Sequence, residues 1–100
     1  MVSRLRIYTI NKGKLDEFVK GWTEFVYPLH YRFGFTIDLA EVIEERSEFV
    51  WIVSYDGPES WDDKQAEYYA SPERAAVDPD PAQYIAKTER WFIKSVLPKG

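Results

Sequence analysis

Arg4-Leu5-Arg6-Ile7-Tyr8-Thr9-Ile10, RLRIYTI, sets Leu5, Ile7 and Thr9 on one side of the chain and Arg4, Arg6, Tyr8 and Ile10 on the other. That alternation is the period-two signature of a β-strand. The fold turns on which of the two sides lies beneath helices. Apolarity assigns Leu5 and Ile7 to the covered side, which sends Arg4, Arg6 and Tyr8 to the open face of the sheet.

Outward from this strand the punctuation is clear. Asn11-Lys12-Gly13 is a turn, after which Leu15, Phe18, Val19, Trp22, Phe25, Val26, Leu29 and Phe33 recur at the three-and-four spacing of one helical face. Pro28 should kink or divide that helix, and Gly34 should stop it. Residues 35–45 and 49–56 read as two strands of an antiparallel hairpin turning at Arg46-Ser47-Glu48. The second of these, FVWIVSY, is apolar on both faces and reads as a central strand. A second helix is expected from Pro58 to about Ala70, with a short one restarting at Ser71-Pro72. Asp80 can cap a final helix from Pro81 to about Glu89, and Trp91 to Leu97 is the expected fourth strand. The order β-α-β-β-α-β is the α+β, ferredoxin-like arrangement: one domain over residues 1–98, with a four-stranded antiparallel sheet and its helices on one face.

The composition excludes several classes of function. A chain of 100 residues has no cysteine and a single histidine, so thiolate chemistry and thiolate-held metals are out and only carboxylates remain for a metal. Asp62 and Asp63 would need a third ligand that the sequence does not supply. A net charge of −4 without any run of Lys and Arg argues against nucleic acid and acidic membrane lipids. No apolar run reaches the roughly 18–20 residues of a membrane span, and the first ten residues lack the pattern of a signal peptide, so a cytoplasmic protein is expected. No cofactor motif is present. Four Trp, seven Tyr and six Phe exceed what a minimal core needs, and part of that surface should line a pocket or an interface.

The stretches LRIYTINKGKLDEFVKGW (5–22), VYPLHYRFGF (26–35), FVWIVSYDGPESW (49–61) and YYASPER (68–74), taken in this order, resemble the NIPSNAP family of the dimeric α/β-barrel superfamily. The resemblance implies that two subunits pack their bare sheet faces together as a homodimer, forming a barrel with a cavity in each half.

Candidate site residues follow from these placements. Arg6 and Tyr8, pointing into the space enclosed by the dimer, would form one group. Arg6 either pairs with Asp38 or Glu41 of the second strand or is left for a carboxylate, phenolate or enolate, with Tyr8 as a second donor. His30, at about 100° per residue, falls about 60° off the apolar stripe of its helix. A histidine at such an edge is either half-buried against a carbonyl or water, or is used for proton transfer or as a haem ligand. Trp51 and Tyr55 share one face of the third strand, and Phe92 supplies the adjoining wall from the fourth. Two functions fit: a cofactor-independent oxygenase or isomerase acting on a small aromatic, polyketide-like or acidic substrate, or a non-catalytic dimeric binding or adaptor module with a packed lumen.

Overall fold

The computed structural model describes residues 1–98. Strand β1 (Val2–Ile10) is paired on both edges, with β3 (Glu48–Tyr55) on one side and β4 (Ile85–Ile93) on the other. Strand β2 (Thr36–Ile43) completes the sheet outside β3, giving the order β2-β3-β1-β4 with every neighbour antiparallel. This is the α+β, ferredoxin-like sheet. Helices α1 (Leu15–Gly21), α2 (Tyr27–Arg32), α3 (Trp61–Ala70) and α4 (Pro72–Ala75) connect the strands. Both later helices start where a serine offers a cap: Ser60 accepts from the Asp63 N–H at 3.1 Å and Ser71 from the Arg74 N–H at 3.1 Å. Each such cap contributes about 1 kcal/mol. Gly34, at φ +89°, takes the left-handed turn that ends α2 and releases Phe35 toward β2.

The sides of β1 are the reverse of the expected ones. Arg6, Tyr8 and Ile10 are the buried residues, 2%, 9% and 2% exposed, while Leu5, Ile7 and Thr9 are only half-buried on the bare face. The register carries this across the sheet, since Arg6 stands opposite Trp51 and Tyr8 opposite Phe49, and both aromatics pack under α1 and α2. The bare face is instead mostly aliphatic, with one aromatic: Leu5 and Ile7 meet Ile52 and Val50, with Leu39, Trp91 and Ile93 flanking. The physical reason is that aromatic partners compensate the buried guanidinium. Arg6 lies 5.0 Å from the Trp51 ring, and Tyr8 packs edge-on to Phe18 and Trp51. Apolarity alone therefore ranked the two faces wrongly.

The long helix is divided, and not by a simple kink. Between α1 and α2 the residues Trp22–Val26 form a π-helical turn, in which the Tyr27 N–H reaches back five residues to the Trp22 carbonyl. Pro28, which has no N–H to offer the Glu24 carbonyl, follows directly. One extra residue in a turn slips everything after it by about 100°. His30 consequently occupies the angular place a regular helix would give to Leu29, and it turns from the stripe's edge into the core at 1% exposure.

The last element also differs. The helix expected from Pro81 is a single 3-10 turn, Pro81–Tyr84, although Asp80 does cap it, accepting from the Ala82 N–H at 3.0 Å. The chain then enters β4 at Ile85, six residues before Trp91, because β1 has a second edge to satisfy and pairs with residues 85–93 along it. Val96 and Leu97 lie beyond the strand, 91% and 80% exposed. Among the described residues no helix is long and apolar enough to cross a membrane.

Candidate functional site

Beneath the π-helical turn the sheet and helices do not close. They leave a cavity of about 280 Å³, floored by Arg6 and Tyr8 of β1 and Trp51 of β3, and walled by Trp22, Val26 and His30 from the divided helix. Tyr68 and Tyr69 of α3 and Arg74 of α4 form another wall, and Ile85, Thr88 and Arg90 of β4 the last. Three arginines line this space, and among the described residues no aspartate or glutamate does. For a chain of net charge −4, that is a local inversion of sign.

The polar groups here are unusually short of partners. Arg6 donates from Nη2 to the Gln65 Oε1 at 2.7 Å, but its Nε and Nη1 are buried with no acceptor. The indole N–H groups of Trp22 and Trp51, the Gln65 amide nitrogen and the Tyr68 hydroxyl are also buried and unpartnered. Each such group costs about 1–3 kcal/mol when desolvated and left unpaired. Arg74 is satisfied, gripping Asp80 with Nη1 at 3.2 Å and Nη2 at 3.0 Å.

His30 is the complementary group. Its Nδ1 lies 2.9 Å from the Val26 carbonyl oxygen, which only accepts, so Nδ1 carries the proton and donates. Nε2 is then a lone-pair acceptor, buried and without a donor. The ring sits 4.3 Å from that of Tyr68 and 5.1 Å from that of Trp51. Burial, with Arg6 and Arg74 nearby, pushes its pKa down from 6.5 to about 4, opposed by the Val26 bond, so at neutral pH the imidazole is uncharged. Burial likewise raises the Tyr8 and Tyr68 hydroxyls above the ordinary tyrosine value, keeping both protonated.

The structure brings together four of the residues singled out from sequence, Arg6, Tyr8, His30 and Trp51, but between the sheet and the helices of a single chain and not on the open face of the sheet. The other three fall elsewhere. Tyr55 is buried beyond the cavity against Phe35, where its hydroxyl bonds Glu59 and is pushed up to about 12 by that bond. Phe92 is 58% exposed on the outer strand, with the Arg4 guanidinium over its ring and Trp61 edge-on to it. Asp38, at a bulge in β2, bonds the Ser54 hydroxyl, and Ser54 in turn meets Ser3 at 2.7 Å. Asp38 therefore belongs to the bare side and cannot pair with Arg6, and neither can Glu41, which is in register with Val50. Among the described residues no group of three His, Cys, Asp or Glu is placed to hold a metal ion.

Sequence reasoning missed Gln65, Tyr68, Arg74 and Arg90. The stretch ESWDDKQAEYYASPE reads as a solvated face with a few anchors, yet Gln65, Tyr68 and Tyr69 are spaced three and four apart, which places them on one side of α3.

No family model matches the sequence, and no curated protein does. Solved structures match over the full length. An uncharacterised NIPSNAP domain protein from Burkholderia xenovorans superposes with a TM-score of 0.82 at 19% identity, covering 99% of this chain and 100% of that one. The fold is that of the NIPSNAP proteins. A NIPSNAP family protein from Agrobacterium tumefaciens gives 0.80 at 19% identity, with 98% and 92% covered. The likeness extends beyond NIPSNAP proteins to an antibiotic biosynthesis monooxygenase at 0.65 and 12% identity, with 97% and 100% covered. At such identities it is the NIPSNAP fold that is shared.

Proposed function

We propose that this chain is a cytoplasmic, small-molecule-binding protein of NIPSNAP type whose cavity takes a small planar, acidic aromatic ligand. The observation that carries this reading is the cluster of desolvated, unpartnered donors around a space lined by three arginines and no described carboxylate. A protein holds such groups in that state at a cost, and a ligand anion that accepts from Arg6 recovers it. The aromatic walls favour a flat ring, and about 280 Å³ is room for one or two. The activity best suited to the arrangement is cofactor-independent oxygenation or isomerisation through an enolate or phenolate, with Arg6 holding the negative charge.

The protomer acts as a homodimer in this reading. Leu5, Ile7, Val50, Ile52, Leu39, Trp91 and Ile93 form an uncovered apolar surface in the centre of the sheet, and a second copy is the economical cover. The lumen between the two sheets would then be dry packing, with each ligand site inside its own subunit.

Titration with 1-naphthoate, followed by tryptophan emission, to which Trp22 and Trp51 in the cavity contribute, tests the ligand class. The acid should bind at least tenfold more tightly than 1-naphthalenemethanol, and Arg6→Met should erase the difference. Equal binding of acid and alcohol, or no change in emission with either, would overturn the reading and leave the non-catalytic module with a packed interior.

A further inference from the structure

Arg6 and the indole nitrogens call for an acceptor, but one unpartnered group in the cavity calls for a donor. His30 lines this cavity, and its Nε2 has a lone pair, is buried, and has no N–H or O–H within hydrogen-bonding distance. Its tautomer is held from behind by the Val26 carbonyl, 2.9 Å from Nδ1. That carbonyl remains hydrogen-bonded if the ring gains a proton, so an imidazolium is supported without any movement. An anionic ligand that carries no hydroxyl would satisfy Arg6 and leave Nε2 orphaned.

We propose that His30 is the proton acceptor for a phenolic or enolic hydroxyl of the ligand, and that Arg6 holds the oxyanion this creates. In the step the ligand O–H bond breaks, its electron pair stays on oxygen, and the proton forms a new N–H bond at Nε2. A neutral hydroxyl and a neutral imidazole become an oxyanion and an imidazolium, so the cavity's net charge is unchanged and no co-reactant is consumed. This rests on the ligand-site reading above and narrows the substrate class to phenols and enols.

The charged and titratable groups around His30 are consistent with the transfer. Arg6 from β1 and Arg74 from α4 repel a proton there, Tyr68 from α3 stays protonated against the ring, and Phe35 and Trp51 are neutral. Burial and the two arginines keep Nε2 free in the empty cavity. An oxyanion at Arg6 reverses the sign of the nearest charge and raises the basicity of His30 only when the ligand is present. The free protein therefore waits with its base unprotonated.

The test uses 4-nitrophenol, whose ionised form alone absorbs visible light, with binding measured separately by calorimetry in two buffers of different ionisation heat. The parent protein should show the bound phenolate band at least one pH unit below the ionisation midpoint of the free phenol, and should release no net proton on binding. His30→Asn, which keeps a donor for Val26, should still bind but release about one proton per ligand, so its affinity falls tenfold for each pH unit below that midpoint. Binding of 4-nitrophenol without the phenolate band overturns the proton transfer and leaves the ligand-site reading standing. Binding of 1-naphthoate but not 4-nitrophenol does the same. If neither binds, both readings fall, and because the parent carries the decisive measurement a poorly folded variant cannot obscure it.

Discussion

The uncharged, buried His30 makes a prediction about stability that needs no ligand. Its folded pKa is about 4 against 6.5 for an exposed imidazole, so between these values the unfolded chain binds a proton that the folded one refuses. Stability due to this residue is therefore full above pH ~6.5, falls by up to about 1.4 kcal/mol per pH unit on acidification, and levels off below pH ~4. The whole effect is roughly 3 kcal/mol, of which about 2 kcal/mol should be lost between pH 7 and 4.5. His30→Asn keeps the Val26 hydrogen bond and removes the titration. Its constant cost, from the space the ring leaves, does not vary with pH. Urea unfolding of parent and variant at matched ionic strength, in steps from pH 7 to 4.5, gives the comparison, and subtracting the two profiles cancels the carboxylates common to both. The variant should be less stable at pH 7 and should close the gap by about 2 kcal/mol on acidification. Parallel profiles would refute the reasoning, because they would mean that the histidine is hydrated in the folded state.

Three further outcomes follow from other parts of the structure. Arg6→Met removes a buried cation with two unpartnered nitrogens, so stability should hold or rise by about 1–3 kcal/mol in thermal denaturation, whereas a clear loss would mean that the Gln65 hydrogen bond and the Trp51 contact outweigh the two orphaned nitrogens. Light scattering should report twice 11.8 kDa for the parent and 11.8 kDa for Ile52→Lys, which sets a charge in the middle of the bare face; a parent at 11.8 kDa would dispose of the dimer. Gly57→Ala places a methyl group against the Tyr55 hydroxyl, which must then leave Glu59, and a cost of about 1–3 kcal/mol in urea unfolding is expected, against no change if the loop simply yields.

Much of the architecture was legible because it depends on local signals. The alternation of residues 4–10, the helical stripe from Leu15 to Leu29, the turn at Arg46-Ser47-Glu48 and the cap at Asp80 each act within a few residues of themselves. What was not legible depended on partners distant in sequence. The strand character of residues 85–90 is decided by the free edge of β1, about 80 residues away. The burial of Arg6 is decided by Trp51 and Gln65. The same holds for the site: Arg6, Tyr8 and Trp51 were identifiable as chemistry-bearing, but the side of the sheet on which they meet was not. Phe92 and Asp38 join the site only if strands two and four enclose the same lumen, and in the structure Asp38 bonds Ser54 on the bare side while Phe92 packs on Arg4.

The π-helical turn gives the position of His30 a particular vulnerability. Whether the imidazole faces the cavity depends on how many residues lie between Gly21 and Tyr27, and not on which residues they are. Loss of the Thr23 or Glu24 codon would restore regular winding, carry His30 back to the edge of the apolar stripe and leave the side chains that line the cavity chemically intact. Exhaustive substitution of the segment would miss this, since no point replacement alters the count. Among divergent descendants of this chain, the gap lengths in this helix would then be a better guide to a working base than the presence of the histidine itself.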